Sequence, residues 1–249
     1  MFFHNPINHM NLTTGTVSVI ISFLILAKNP KAIINILFFL AQFFWGLSNI
    51  CNALTFLFSQ PTFGAQLIRD LTTTFAILAA YFTFITGFSL YKGVYFLKKI
   101  YVNIPSLLVV ISSIVIVVFF DHVVYDNDNG VIDTGTGLKT TQPLWVKIFL
   151  YGIPLILTII AIIYFNKTRI AVEEEIIKKR ISFFIYGFIS IIFGSLILVI
   201  GGILEQILPT FPLIIEYISW GMTSILYFFA PVLMLIGFYL KKVELDDLF

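Results

Sequence analysis

The residues of this chain best suited to hold something polar are amides on one helical face. Asn35, Gln42 and Asn49 recur every seven positions within a long apolar stretch, Lys31 to Gln60. At about 100° per residue they fall within roughly 40° of one another, and Trp45, Asn52 and Ser48 widen the face to about 140°. Ile36, Leu37, Phe39, Leu40, Phe43, Leu47, Ile50 and Leu54 make up the other side. Amides left unpaired in hydrocarbon cost several kcal/mol. The pattern predicts a membrane helix whose amide stripe faces protein and whose aliphatic side faces lipid.

Other polar groups are expected at a similar depth. Counting about 1.5 Å per residue from the basic edges puts Gln42 near the midplane and Asn49 and Asn52 in the outer half. Arg69 and Asp70 are expected to head the third helix at the outer boundary, with Thr72, Thr73 and Thr74 next. Glu205 and Gln206 close the sixth apolar run and Glu216 opens the seventh, where Ser219, Thr223 and Tyr227 follow on one face. Two readings fit these residues. Charges anchor helix ends, and Asn and Thr bond between helices. Alternatively, Gln42, Asn49, Asn52, Arg69, Glu205, Glu216, Ser219 and Thr223 line an outward-facing ligand pocket with a charged mouth. The second reading requires Arg69, Glu205 and Glu216 to converge around a cavity that reaches Asn49 and Ser219.

The elements that position these residues follow from composition. Of 249 residues, 59% are hydrophobic and only 11% charged, against about 25% charged in soluble domains. Seven apolar runs succeed one another: about Leu12 to Ala27, Ala32 to Phe58, Leu71 to Tyr91, Ile104 to Phe120, Val146 to Phe165, Ile181 to Leu204, and Leu213 to Leu240. They are continuous and lack the period-two alternation of a β-barrel. The fold class is all-α: one domain over residues 1–249, a bundle of seven transmembrane helices in the cell membrane. No segment between the runs is long enough for a soluble core. All of the fifteen Lys and Arg residues except Arg69, Lys139 and Lys147 fall after the odd-numbered runs or at the C-terminus. The positive-inside rule then places the N-terminus outside and the C-terminus in the cytoplasm.

Two connections are longer. Residues 121–142 form an acidic, glycine-rich outer loop in which Val131 to Gly137 reads as a small hairpin. Its Asp126 to Gly130 segment has glycine at the fifth position rather than the EF-hand's sixth and no glutamate at the twelfth, so it reads as a solvated turn. Residues 166–180 read as a cytoplasmic helical extension with Glu174–Lys178 and Glu175–Lys179 pairs at i, i+4. Ser190 and Gly194 form a small-residue pair that lets helices approach closely. Met1 to Asn11 reads as a solvated tail leading into a retained first helix. It includes the Asn11-Leu12-Thr13 glycosylation pattern.

Catalytic chemistry lacks its residues. The last run has no lysine for a Schiff base before Lys241, and His4, His9 and His122 lie outside the runs, so haem and zinc have no ligands at depth. Glu173, Glu174 and Glu175 lack the metal-binding histidines of an intramembrane protease. Cys51 is the single cysteine, which leaves no disulfide within the chain. No enzyme activity, cofactor, metal or nucleic-acid partner is expected.

The sequence resembles the seven-transmembrane sensor region at the N-terminus of many bacterial and archaeal histidine kinases. Asn29-Pro30 before an aromatic second span with Trp45, Gln142-Pro143-Leu144-Trp145 closing the outer loop, and Lys178-Lys179-Arg180 launching the sixth span carry the likeness. The resemblance implies a sensor that binds a small molecule from outside. Those proteins continue into a kinase or cyclase domain, whereas this chain ends at Phe249, so the expectation is either output through a separate cytoplasmic signalling partner or a stand-alone homologue with a changed role. A small-solute transporter using the same polar interior and a structural or assembly role are the alternatives. A transporter needs polar access from both faces, and the inner halves of the runs are nearly all Ile, Leu, Val and Phe apart from Asn35 and Tyr186.

Overall fold

The computed structural model describes residues 6–55, 57–58, 61–98, 100–120, 122–125, 138–141, 143–207 and 212–240. Each apolar run has its helix, the second run outlasting its own: α1 Pro6–Lys28, α2 Ile33–Thr55, α3 Phe63–Lys92, α4 Ile100–Phe120, α5 Leu144–Ala171, α6 Glu175–Ile207 and α7 Pro212–Tyr239. Six are long and apolar enough to cross a membrane, and Ile104–Phe120 in α4 is a shorter apolar helix. This is the build of a multi-pass membrane protein. Its outward surface agrees, with Ile20, Leu108, Phe119, Phe193, Ile218 and Ile225 among many exposed large apolar residues. So much exposed hydrocarbon needs lipid to cover it.

Contacts run α1–α2–α3–α5–α6–α7 and close back onto α1, while α4 packs outside this ring on α3 and α5. Among the described side chains of α4, those of Val110, Ser113 and Val117 form the buried stripe, and Val110 and Val117 pack with Ile77 and Val146. Helices α1 and α2 cross where two glycines meet. A Cβ on Gly46 would stand 2.8 Å from the Gly15 carbonyl oxygen, and one on Gly15 would stand 2.7 Å from that of Gly46. Helices α6 and α7 are joined by a small-residue stripe that includes the expected Ser190–Gly194 pair. A Cβ on Gly187 would lie 2.9 Å from the Ala230 carbonyl oxygen, and one on Gly194 would lie 2.6 Å from the Tyr227 ring. Backbones come close here because these positions carry so little side chain.

Phenylalanines fill the bundle toward the end that carries Lys28, Lys92, Lys167 and Arg180, here called the basic end. Phe38 of α2 packs on Phe184 at 4.6 Å, Phe238 at 5.0 Å and Phe165 at 5.9 Å. Phe188 completes the cluster, 5.3 Å from Phe165. Four helices thus share one aromatic plug.

Cations close this end of the bundle. The C-terminal carbonyls of a helix lack intrahelical donors and carry partial negative charge. On α7 they are met by Lys28 Nζ, which donates to the Phe238 carbonyl, and by Arg180 Nε, which donates to that of Leu240 at 2.8 Å. Tyr239 Oη donates to the Leu24 carbonyl at 2.8 Å. Replacing Arg180 with alanine is expected to lower stability by about 1–2 kcal/mol. Chaotrope unfolding in micelles checks this, and wild-type stability in the variant would remove the capping role.

Several expectations need correction. The segment before Asn11 is not a free tail, because α1 starts at Pro6 and buries Asn8 and Asn11. The aliphatic side of α2 is not all lipid-facing: α1 lies against it, with Phe23 5.3 Å from Phe39 and 6.0 Å from Phe43, and Leu37 is buried. Arg69 and Asp70 do not head α3. Thr62 caps that helix, its Oγ1 accepting from the Ala65 amide at 3.3 Å, so both residues stand nearly two turns inside. The 166–180 extension is interrupted at residues 172–174, and Glu175 pairs with Lys178 at 2.7 Å rather than with Lys179. In the connection between α4 and α5, His122–Tyr125 (β1) pairs antiparallel with Leu138–Thr141 (β2), and the two strands frame the expected hairpin. Val131 to Gly137 and the Asp126 to Gly130 turn lie outside the described residues.

Candidate functional site

The amide stripe of α2 does face protein. Gln42 is 2% exposed and Asn49 6%, with Ser48 also buried and Asn35, Trp45 and Asn52 half-buried. Their partners show what each side chain is used for. Ser48 Oγ donates to the Thr72 carbonyl of α3 at 2.8 Å, which is a bond between helices. Asn49 Nδ2 donates to the Trp45 carbonyl at 2.8 Å on its own helix. Asn35 Nδ2 reaches back to the Asn29 carbonyl at 3.1 Å and closes the turn before α2. Gln42 Nε2 has the Met234 sulfur of α7, a weak acceptor, as its partner among the described residues.

Two buried atoms of this face have no hydrogen-bond partner among the described residues: Gln42 Oε1 and Trp45 Nε1. They lie one turn apart on α2. The Trp45 ring stands edge-on to Tyr227 of α7, 5.0 Å between centroids, and Tyr227 Oη shares a 2.9 Å hydrogen bond with Ser195 of α6. An acceptor and a donor therefore stand unanswered where α2 meets α7, on the side of the phenylalanine plug away from the basic end.

The first helix supplies further amides that the sequence reading missed. Asn8 is 1% exposed and Asn11 4%. Both amide atoms of Asn8, and Nδ2 of Asn11, lack hydrogen-bond partners among the described residues. The Gly15–Gly46 crossing fixes their level. From it, Asn11 lies about 6 Å along α1 and Asn49 about 4.5 Å along α2, both away from the basic end. Asn8 and Asn52 follow at about 10 Å and 9 Å. The signal was in the sequence: Asn8, Asn11, Thr14, Ser18, Ser22 and Ile25 recur three and four apart, and all are buried.

The hydroxyls behave differently from the amides. Ser219 donates to its own helix at Ile215, 2.7 Å, and Thr223 donates to the Gly194 carbonyl of α6 at 3.0 Å. Both lie in the α6–α7 seam, where a Cβ on Gly201 would fall on Ser219. Thr223 is spent on joining helices and Ser219 on its own helix. The basic half is also less aliphatic than expected: Ser18, Ser22, Thr83, Thr86 and Ser89 are buried there, all but Ser89 bonded to carbonyls of their own helix.

Three charged residues were expected to converge at a mouth: Arg69, Glu205 and Glu216. Arg69 is half-buried on α3 and engaged by neighbouring groups, while Asp70 accepts from Gln66 Nε2 at 2.7 Å. Glu205 and Glu216 have their backbones in α6 and α7, and their side chains lie outside the described residues. Among the described residues no group of three or more His, Cys, Asp or Glu could hold a metal ion. The sequence matches no protein-family model and no curated protein.

Proposed function

We propose that the chain is a receptor-like protein of the cell membrane. On this reading seven helices span the bilayer, with the N-terminus outside and the C-terminus in the cytoplasm. A small polar ligand enters from outside and is held by the α1–α2 amides. The resulting shift passes to a separate cytoplasmic signalling partner. The observation that carries this reading is the set of buried, unpartnered groups on Asn8, Asn11, Gln42 and Trp45. Each unmade buried hydrogen bond costs about 1–3 kcal/mol, so a molecule supplying a donor for Gln42 Oε1 and an acceptor for Trp45 Nε1 recovers what the folded chain forgoes.

The route outward from such a site is physical. A ligand that moves Trp45 acts on Tyr227, and α7 continues from there to the carbonyls held by Lys28 and Arg180. The phenylalanine plug favours a receptor over a transporter, because a solute crossing the bundle would have to part Phe38, Phe165, Phe184 and Phe188, all buried.

Thiol accessibility tests this reading without knowledge of the ligand. Cys51 is replaced by alanine, and Asn11→Cys, Asn49→Cys and Phe188→Cys are exposed to a membrane-impermeant methanethiosulfonate from either side. A receptor site gives labelling of the first two from outside only and none at Phe188→Cys. Labelling of Asn49→Cys from both sides points to a transporter. No labelling of Asn11→Cys or Asn49→Cys leaves a packed structural bundle, and the receptor reading falls.

A further inference from the structure

We infer that the junction of α3 and α5 at the basic end binds an anionic phospholipid, its phosphate held by Lys92 and Lys167 in the headgroup layer. The site begins at a glycine. Helices α3 and α5 both run toward the basic end and approach closely at Gly87, where a Cβ would stand 3.0 Å from the Ala161 carbonyl oxygen and 3.2 Å from Ala161 Cα. About one turn farther on, this crossing stacks Tyr91 of α3 on Tyr164 of α5, 5.7 Å between centroids and 30° between planes. Phe88 stands edge-on to Tyr164 at 5.3 Å and helps to fix that ring. The ring pair carries two cations. Lys92 Nζ lies 4.8 Å from the Tyr91 centroid, and Lys167 Nζ lies 5.6 Å from that of Tyr91 and 5.9 Å from that of Tyr164.

Level and charge together identify the occupant. Counted from the Gly87–Ala161 crossing, Lys92 stands about 7.5 Å along α3 and Lys167 about 9 Å along α5, so the two share one height. The apolar runs of both helices end just before them, at Tyr91 and Phe165. A cation that directly follows the hydrocarbon-spanning stretch lies among the headgroups. Both lysines are exposed, and neither has a carboxylate or carbonyl partner among the described residues. Lys28 and Arg180 at the same end differ, because they donate to the last carbonyls of α7. An ammonium over a ring keeps its three N–H groups to donate elsewhere. The Tyr91 and Tyr164 hydroxyls likewise have no hydrogen-bond partner among the described residues. The crossing therefore gathers two positive charges and several free donors with no described anion to answer them. A phosphate supplies the acceptors and the charge, and the flexible lysine stems let both ammoniums turn onto it. This assignment stands independently of the receptor reading.

Native mass spectrometry of the detergent-purified chain tests it, with equimolar phosphatidylglycerol and phosphatidylcholine of identical acyl chains. One lysine near a membrane surface favours an anionic lipid about fivefold, so two give an expected ratio of bound glycerol to choline lipid of about 25. Lys92→Gln and Lys167→Gln should each lower the ratio to about five, and the double variant should bring it close to one. Lys179→Gln removes an exposed lysine of α6 at the same end and should leave the ratio unchanged. All three lysines are exposed, so the variants keep the fold, which gel filtration checks. Equal binding of the two lipids by the wild type overturns the proposal, as does an unchanged ratio in the double variant. A loss in Lys179→Gln as large as in Lys92→Gln overturns it too, because diffuse attraction to a basic surface would then explain the preference. A large excess of inorganic phosphate should leave the ratio at its full value. Displacement of the glycerol lipid by that phosphate overturns the lipid as occupant and identifies a site for a soluble phosphate.

Discussion

A reporter active only outside the cytoplasm is expected to give full signal when fused after Asn129 and none when fused after Glu174 or Phe249; a cytoplasmic reporter should give the reverse. The effect is all or none, and it rests on the weakest helix of the bundle. Helix α4 packs outside the ring and offers only its Ile104–Phe120 segment as a short apolar helix. If α4 did not cross, every helix after it would run the other way. Lys167, Arg169, Lys178, Lys179 and Arg180 would then face outside, against the bias that sets orientation. The positive-inside bias thus predicts that α4 spans, although its length argues less strongly for it. About 17 residues is the lower limit for crossing, and Ile100 to Asn103 add another turn of helix at the basic end. Finding Asn129 and Glu174 on the same side would reject the seven-span topology and, with it, the outside and inside of the proposed receptor.

What the sequence made legible, and what it hid, divides along one line. Helices were readable because a run of some twenty apolar residues has few other solutions. The inward face of α2 was readable because Asn35, Gln42 and Asn49 repeat at seven inside such a run, where the cost of exposure to lipid is high. Asn8 and Asn11 were hidden by the same rule: they precede the apolar run, so hydropathy assigned them to water, whereas packing of α1 on α2 and α7 buries them. Arg69 and Asp70 were displaced for a related reason. Helix α3 begins eight residues before its apolar run, and Thr62 supplies the cap that marks the true start. Ser219 and Thr223 were correctly placed on one face, but a hydroxyl can bond to a carbonyl of its own or a neighbouring helix, and both do. Amides have more hydrogen-bonding positions to fill, so they are where unmet bonds remain.

The largest loss of stability is expected at the crossing of α1 and α2. A β-carbon on Gly46 would meet the Gly15 carbonyl oxygen at 2.8 Å, Val19 Cγ2 at 2.8 Å and the Val19 amide nitrogen at 3.0 Å. Two of these are backbone atoms of a continuous helix and cannot turn aside as a side-chain tip can. Gly46→Ala removes a poor helix former, which alone favours the helix by about 1 kcal/mol, but the clash acts at the point where the two backbones touch. Overpacking of this kind costs about 1–3 kcal/mol and occasionally more, so the net sign is destabilising. Gly46→Leu should cost about 3 kcal/mol or prevent accumulation of the folded chain. Gly221 of α7 is the internal control, since a Cβ there would meet nothing within 4 Å. Gly221→Ala should therefore be neutral or stabilising by up to about 1 kcal/mol. Chaotrope unfolding in micelles, followed by helical circular dichroism, compares the two alanine variants directly. Equal stability of Gly46→Ala and Gly221→Ala would mean that α1 and α2 do not touch backbone to backbone. Asn8 and Asn11 would then lose the crossing that sets them level with Asn49 and Asn52, and the amide site would have no fixed geometry to recognise a ligand.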